Sequence, residues 1–171
     1  MANSEPGVFR IVGLPGDCIG PEVYASAEQV LAVLAGRHGF RYELDQQLIG
    51  GAAVDATGVP LPQATVDACR ASDAALLGAV GGPQWDDNPA EQRPELGLLQ
   101  IRAALNLFCN LRPVVMHPAL QRFSPLKPER LVDVDLMIVR ELTSGSYFGK
   151  KWRDDDQAED VCRYTKPEIE R

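Results

Sequence analysis

With 171 residues, 45% of them hydrophobic and 24% charged, the chain has about the length of one ordinary domain and enough apolar material for a real core. A formal net charge of −7 argues against nucleic acid or an anionic membrane as partner, because either requires a basic face to neutralise phosphates. A small-molecule ligand is favoured instead.

The opening stretch MANSEPGVFRIVGLPGD lacks the basic and apolar segments of a signal peptide, and no later run approaches the roughly 18 apolar residues of a membrane span. The expectation is a cytoplasmic protein. FRIVGL, Phe9 to Leu14, reads as a strand that meets the breaker-rich LPGDCIGP. Val23, Ala27, Val30, Leu31 and Leu34 then recur at helical spacing, with Pro21 suited to a first turn and Gly36 or Gly39 to a stop. RYELDQQL is a second strand candidate. A turn region rich in Gly and Pro follows, then a short helix around Ala64 to Ala71 and the apolar run AALLGAV. Strands alternating with helices indicate an α/β protein with a largely parallel sheet.

The run LGLLQIRAALNLFCNLRP, Leu96 to Pro113, has the look of a buried helix, with Leu98, Ile101, Leu105 and Phe108 on one stripe. Past Pro113 the chain becomes proline-rich and loses periodicity, which places a domain boundary there: residues 1–112 before it and 113–171 after it. DLMIVREL reads as another buried strand, and about 143–165 as a polar, hairpin-like excursion. The chain ends at KPEIER as a helix begins. Three or four parallel strands make a sheet that looks unfinished. Cys18, Cys69, Cys109 and Cys162 are too scattered for a metal site and read as reduced thiols, and His38 and His117 offer no zinc pattern.

Between Leu96 and Pro128 stand Arg102, Arg112, Arg122 and Lys127 without a single acid. Arg102 follows Leu98 by one helical turn, with Leu99 beside it. Arg140 lies inside the apolar MIVREL, where a charge is costly unless an anion or Glu141 compensates it. A lone arginine usually snorkels to solvent or pairs with an acid such as Asp86 or Glu95. Three of them beside leucines suit a ligand with carboxylates and an alkyl branch, since the guanidinium fork matches a carboxylate in two parallel hydrogen bonds.

The stretches GDCIGPEV (16–23), AVGGPQWDDNP (79–89), RPELGLLQIRAALNLFCNLRPV (93–114), SPLKPE (124–129) and DLMIVRELTSGSYFG (135–149) closely resemble the β-decarboxylating dehydrogenases of the isocitrate/isopropylmalate dehydrogenase family, above all its isopropylmalate-oxidising members. The resemblance implies an α/β fold, mainly parallel with flanking helices and incomplete in this chain, and NAD-dependent oxidation and decarboxylation of 3-isopropylmalate to 4-methyl-2-oxopentanoate in leucine biosynthesis. By the same resemblance Arg102, Arg112 and Arg140 hold the substrate's carboxylates, and Leu98 and Leu99, with Glu95 nearby, face its isopropyl group. Tyr147 takes part in proton transfer. The loop formed by Gly82, Pro83, Gln84, Trp85, Asp86, Asp87, Asn88, Pro89, Ala90, Glu91, Gln92, Arg93, Pro94 and Glu95 lies along the dinucleotide.

Gly13, Gly16 and Gly20 form no G-x-G-x-x-G, and from spacing alone this is an ordinary strand-to-helix turn. The family binds NAD without a Rossmann fold. Family members are roughly twice this length, and their aspartate ligands for Mg2+ or Mn2+, their catalytic lysine and most of their adenine and ribose contacts match nothing in residues 1–171. This chain is expected to carry the substrate-arginine half of the site, with no metal ligands, and to be inactive unaided. The excursion at 143–165 resembles the family's dimerisation arm, which implies a homodimer at full length. Cys18 stands where the family pattern has glycine, at a cost of about 1–2 kcal/mol if that position requires positive φ. The alternatives are a related enzyme acting on tartrate, homoisocitrate or isocitrate, for which the two leucines are less apt, and an inactive truncated fragment.

Overall fold

The computed structural model describes residues 7–171; the reading of residues 1–6 as free of a signal segment lies outside the described residues. The chain separates into two compact units, one extending to Leu105 and the other running from Asn106 to Arg171.

The first unit is built on β1 (Val8–Gly16), with β2 (Arg41–Gln46) and β3 (Ala74–Ala79) parallel to it on either side. Parallel neighbours need crossovers, and helices supply both. α1 (Gly20–His38) joins β1 to β2, with Pro21 in its first turn and Gly39 at φ 71° ending it. α2 (Gly51–Thr57) and α3 (Gln63–Arg70) join β2 to β3, and α4 (Pro94–Ala104) closes the unit. Val12 and Leu14 of β1 pack with Ile49, Val66, Cys69 and Ile101 in the core. The apolar stripe of α1 is only partly used. Val30 and Leu34 remain exposed, and with Ala27, Leu31, Ile11, Ala74, Ala75 and Leu76 they line an open apolar cavity of about 280 Å³.

The second unit consists of two antiparallel ribbons. β4 (Cys109–Val115) pairs with β5 (Asp135–Glu141) from Cys109↔Glu141 to Val115↔Asp135. β6 (Lys151–Arg153) pairs with β7 (Ala158–Asp160), and an isolated bridge joins Gly145 to Arg163. α5 (Lys166–Glu170) opens on a capping box between Thr165 and Glu168.

Four sequence expectations require correction. The helix expected from Leu98 through Phe108 runs instead from Pro94 to Ala104; Asn106 at φ 54° reverses the backbone, so Phe108 and Arg112 lie outside it. The units divide at Leu105 and Asn106 rather than after residue 112, because Pro113 sits within β4 opposite Met137 and ties both flanks of the supposed boundary into one ladder. DLMIVREL is a strand but not a buried one: Leu136, Met137, Ile138 and Val139 are all exposed. The Gly- and Pro-rich region after β2 contains α2, a helix too short to show a 3.6-residue period.

Candidate functional site

In the first unit the expected site residues fall on one face of α4. At 100° per residue, Glu95, Leu98, Leu99 and Arg102 lie within an arc of about 100°. Pro94, Gly97 and Ile101 occupy a separate arc and are buried. Gly97 is required there, since a Cβ would run into the carbonyl of Pro60. The core thus fixes the rotation of the helix and leaves an acid, two half-buried leucines and a half-buried guanidinium on its other side.

The Gly82–Glu95 loop is organised by single 3₁₀ turns at Pro83–Trp85 and Ala90–Gln92. Trp85 and Pro94 turn inward and are buried, so they anchor the loop. The Trp85 indole covers Gly51, and its N–H donates to Asp55 Oδ1 at 3.0 Å. Asp86, Asp87 and Glu91 face outward. Arg93 is directed at the carbonyls of Asn88 and Asp86, each at 3.4 Å. Carboxylates suit the hydroxyls of a ribose, and the loop's one cation is engaged within the loop. Cys18 has φ 51°, so the strain foreseen for a side chain at this position is present, and its Sγ rests against Gly82. All four cysteines are free.

In the second unit the register decides which side chains meet. Asn110 stands opposite Arg140 and Arg112 opposite Ile138. Residues two apart share a face, so Arg112 and Arg140 project from the same side of the ribbon as diagonal neighbours, within reach of one long-armed anion. The Arg140 guanidinium also lies 5.2 Å from the centre of the Tyr147 ring. Glu141 does not compensate Arg140. Adjacent strand residues point to opposite faces, and the Glu141 carboxylate instead accepts from Thr143 N–H at 2.8 Å, Thr143 Oγ1 at 3.1 Å and Arg171 at 2.9 Å. Burial pushes the Glu141 carboxyl up, but the Thr143 hydrogen bonds and the charge of Arg171 together bring it below the ordinary carboxylate value. Among the described residues neither Arg112 nor Arg140 has an ion-pair partner. Both are exposed, so their charges carry no burial cost, and the argument for an anion rests on their pairing.

Sequence reasoning missed Asp17. It is buried, and its carboxylate accepts the N–H groups of Gly51, Ala52 and Gly81, each at 2.8 Å. An acid within a run of breakers was the only available signal. Among the described residues no group of three or more His, Cys, Asp or Glu is placed to hold a metal ion, and no helix is long and apolar enough to cross a membrane.

Residues 10–171 match the family model described as isocitrate/isopropylmalate dehydrogenase. The chain is 53% identical over 169 residues to the 3-isopropylmalate dehydrogenase of Bacillus caldotenax, covering 96% of this chain and 46% of that protein. It is 52% identical over 170 residues to the enzyme of the same name from Geobacillus kaustophilus, again covering 96% and 46%. The solved isocitrate dehydrogenase of Methylococcus capsulatus aligns with a TM-score of 0.74 at 30% identity, over 95% of this chain and 44% of that one. The chain therefore spans about half the length of the curated relatives it matches, and its fold is that of these dehydrogenases.

Proposed function

Because the chain belongs to the isocitrate/isopropylmalate dehydrogenase family, we propose that it supplies substrate-holding residues for the NAD-dependent oxidative decarboxylation of 3-isopropylmalate to 4-methyl-2-oxopentanoate, a step of leucine biosynthesis. The observation that carries this reading is the pair Arg112 and Arg140 on one face of β4–β5, without ion-pair partners among the described residues and with Tyr147 against Arg140. Two guanidinium forks at diagonal positions fit a dicarboxylate. Within the first unit, the α4 face carries Arg102 together with Leu98 and Leu99, an apolar surface that a branched alkyl group requires and a third carboxylate does not.

NAD, when bound, would supply the hydride acceptor for the substrate's hydroxyl carbon. The exposed acids of the Gly82–Glu95 loop suit its ribose hydroxyls, and Trp85 holds that loop against α2. Loss of carbon dioxide leaves an enolate that must take a proton on carbon. Tyr147 Oη is the donor in this reading, and the Arg140 guanidinium stabilises the anion that remains. The described residues do not form a donor set for a divalent cation, so the Mg2+ or Mn2+ of this chemistry is not assigned to side chains of this chain. The β6–β7 ribbon, within the arm at 143–165, is proposed as the self-association element of a homodimer. The proposed location is the cytoplasm.

Calorimetric titration of the chain with 3-isopropylmalate, isocitrate and tartrate tests the reading. Binding of 3-isopropylmalate in preference to the others supports it, preference for isocitrate or tartrate replaces it with the related enzyme, and heat from none of them identifies an inert fragment.

A further inference from the structure

A buried carboxylate normally has a cation beside it, because the uncompensated charge is expensive. Asp17 is 3% exposed, and among the described residues it has no ion pair. Its charge is held by three backbone donors from two separate segments: Oδ2 accepts from Gly51 N–H and Gly81 N–H, and Oδ1 accepts from Ala52 N–H. Its own backbone is fixed as well, by its N–H to Ala79 O at 2.7 Å and its carbonyl to Gly20 N–H at 2.7 Å. Only an acceptor without a donor of its own satisfies three converging N–H groups; asparagine would present an NH2 to at least one of them.

The neighbouring glycines show how tightly this node is closed. Gly50, at φ 75°, has no room for a Cβ beside Asp17 Oδ2. Gly81, at φ 108°, gives its N–H to Asp17 and has the Glu95 carboxylate lying directly over its Cα. Gly81 is therefore held between Asp17 and Glu95, and Glu95 begins the face of α4 that carries Leu98, Leu99 and Arg102. The Asp17 carboxylate also accepts the first two N–H groups of α2, the helix on which Trp85 is seated through Gly51 and Asp55. Two attachments of the Gly82–Glu95 loop, at Gly81 directly and at Trp85 through the start of α2, thus depend on one side chain.

We propose that Asp17 is a positioning residue for dinucleotide binding: its carboxylate sets the path of the Gly82–Glu95 loop by holding Gly81 at one attachment and the start of α2, beneath Trp85, at the other. This rests on the reading that the loop lies along NAD, and the test separates the two. Asp17→Asn and Asp17→Ala are made in this chain. Amide hydrogen exchange is followed at Gly51, Ala52 and Gly81, Trp85 by fluorescence in a Trp152→Phe background, and NAD+ binding by titration, with thermal melting in parallel.

In Asp17→Asn the side-chain oxygen takes the two-donor position. Exchange at Ala52 rises by about tenfold or more while Gly81 stays protected, and NAD+ affinity remains within about threefold of the original although the melting temperature falls. In Asp17→Ala all three amides lose protection, Trp85 emission shifts to the red, and NAD+ affinity falls by about tenfold or more. Unchanged Gly81 exchange in Asp17→Ala overturns the proposal, as does NAD+ affinity that simply follows melting temperature through both variants. If Asp17→Ala does not fold, Asp17→Asn decides: unchanged Ala52 exchange, or NAD+ affinity that falls only in step with melting temperature, overturns the proposal. If the unsubstituted chain binds no NAD+, the reading of the loop fails, and Gly81 exchange and Trp85 emission alone decide whether Asp17 sets the path of the segment.

Discussion

The two units satisfy their backbones in similar ways and their side chains very differently. In the first, helices cross over a parallel sheet, and Ile49 and Ala53 are fully buried, with Val12 and Leu14 at 2% exposure. In the second, β4 and β5 are fully paired, yet Leu111, Val115 and Val139 are about as exposed as surface residues. A ladder secures hydrogen bonds without burying anything, and a two-stranded ribbon has no second layer to close a core. The unit that carries the paired arginines and Tyr147 is thus the one with less burial to hold it, whereas the α4 face of the first unit is fixed by packing.

The contrast predicts unequal responses to substitution. The largest effect is expected at Ile49: Ile49→Ala removes a fully buried side chain and should destabilise the first unit by about 2–5 kcal/mol, measured by denaturant unfolding. Next, Arg140→Ala should weaken 3-isopropylmalate binding by about 1.5–3 kcal/mol in calorimetry, the range for a hydrogen bond to a charged group, while leaving unfolding nearly unchanged because the side chain is exposed. Val139→Ala on the same strand should alter stability by no more than about 0.5 kcal/mol, and a cost like that of Ile49→Ala would erase the distinction between the units.

The smallest effect concerns pH. Glu141 has a lowered folded-state pKa, so its contribution is present above its unfolded value, roughly 4.3, and is lost as pH falls through the folded value. Protection of the Thr143 amide, relative to the intrinsic exchange rate at each pH, should fall as the solution is acidified below the ordinary carboxylate range, and an Arg171→Gln variant should show the loss beginning at higher pH.

Much of the first unit was legible because its signals are local. FRIVGL, the helical spacing of α1, the short α3 and the apolar AALLGA each carry their own period or breakers, and Pro21 and Gly39 mark the ends of α1 by backbone geometry. α2 was not legible, since seven residues give less than two helical turns of pattern. The leucine-rich run misled at its end: apolar residues suggested a helix through Phe108, but the reversal at Asn106 and the pairing of Cys109 with Glu141 turn the chain into a strand.

Composition and local pattern by themselves determined the α/β class, the kinship carried by the long motifs, and the presence of arginines beside leucines. Tertiary structure decided what those arginines can do. Arg112 and Arg140 are 28 positions apart and share a face only because the β4–β5 register brings Asn110 to Arg140 and Ile138 to Arg112. Asp17 became a junction only because three N–H groups from two distant segments fold onto it. Helical and strand periods are written in neighbouring residues, whereas register and converging hydrogen bonds are set by contacts between segments that local sequence does not encode.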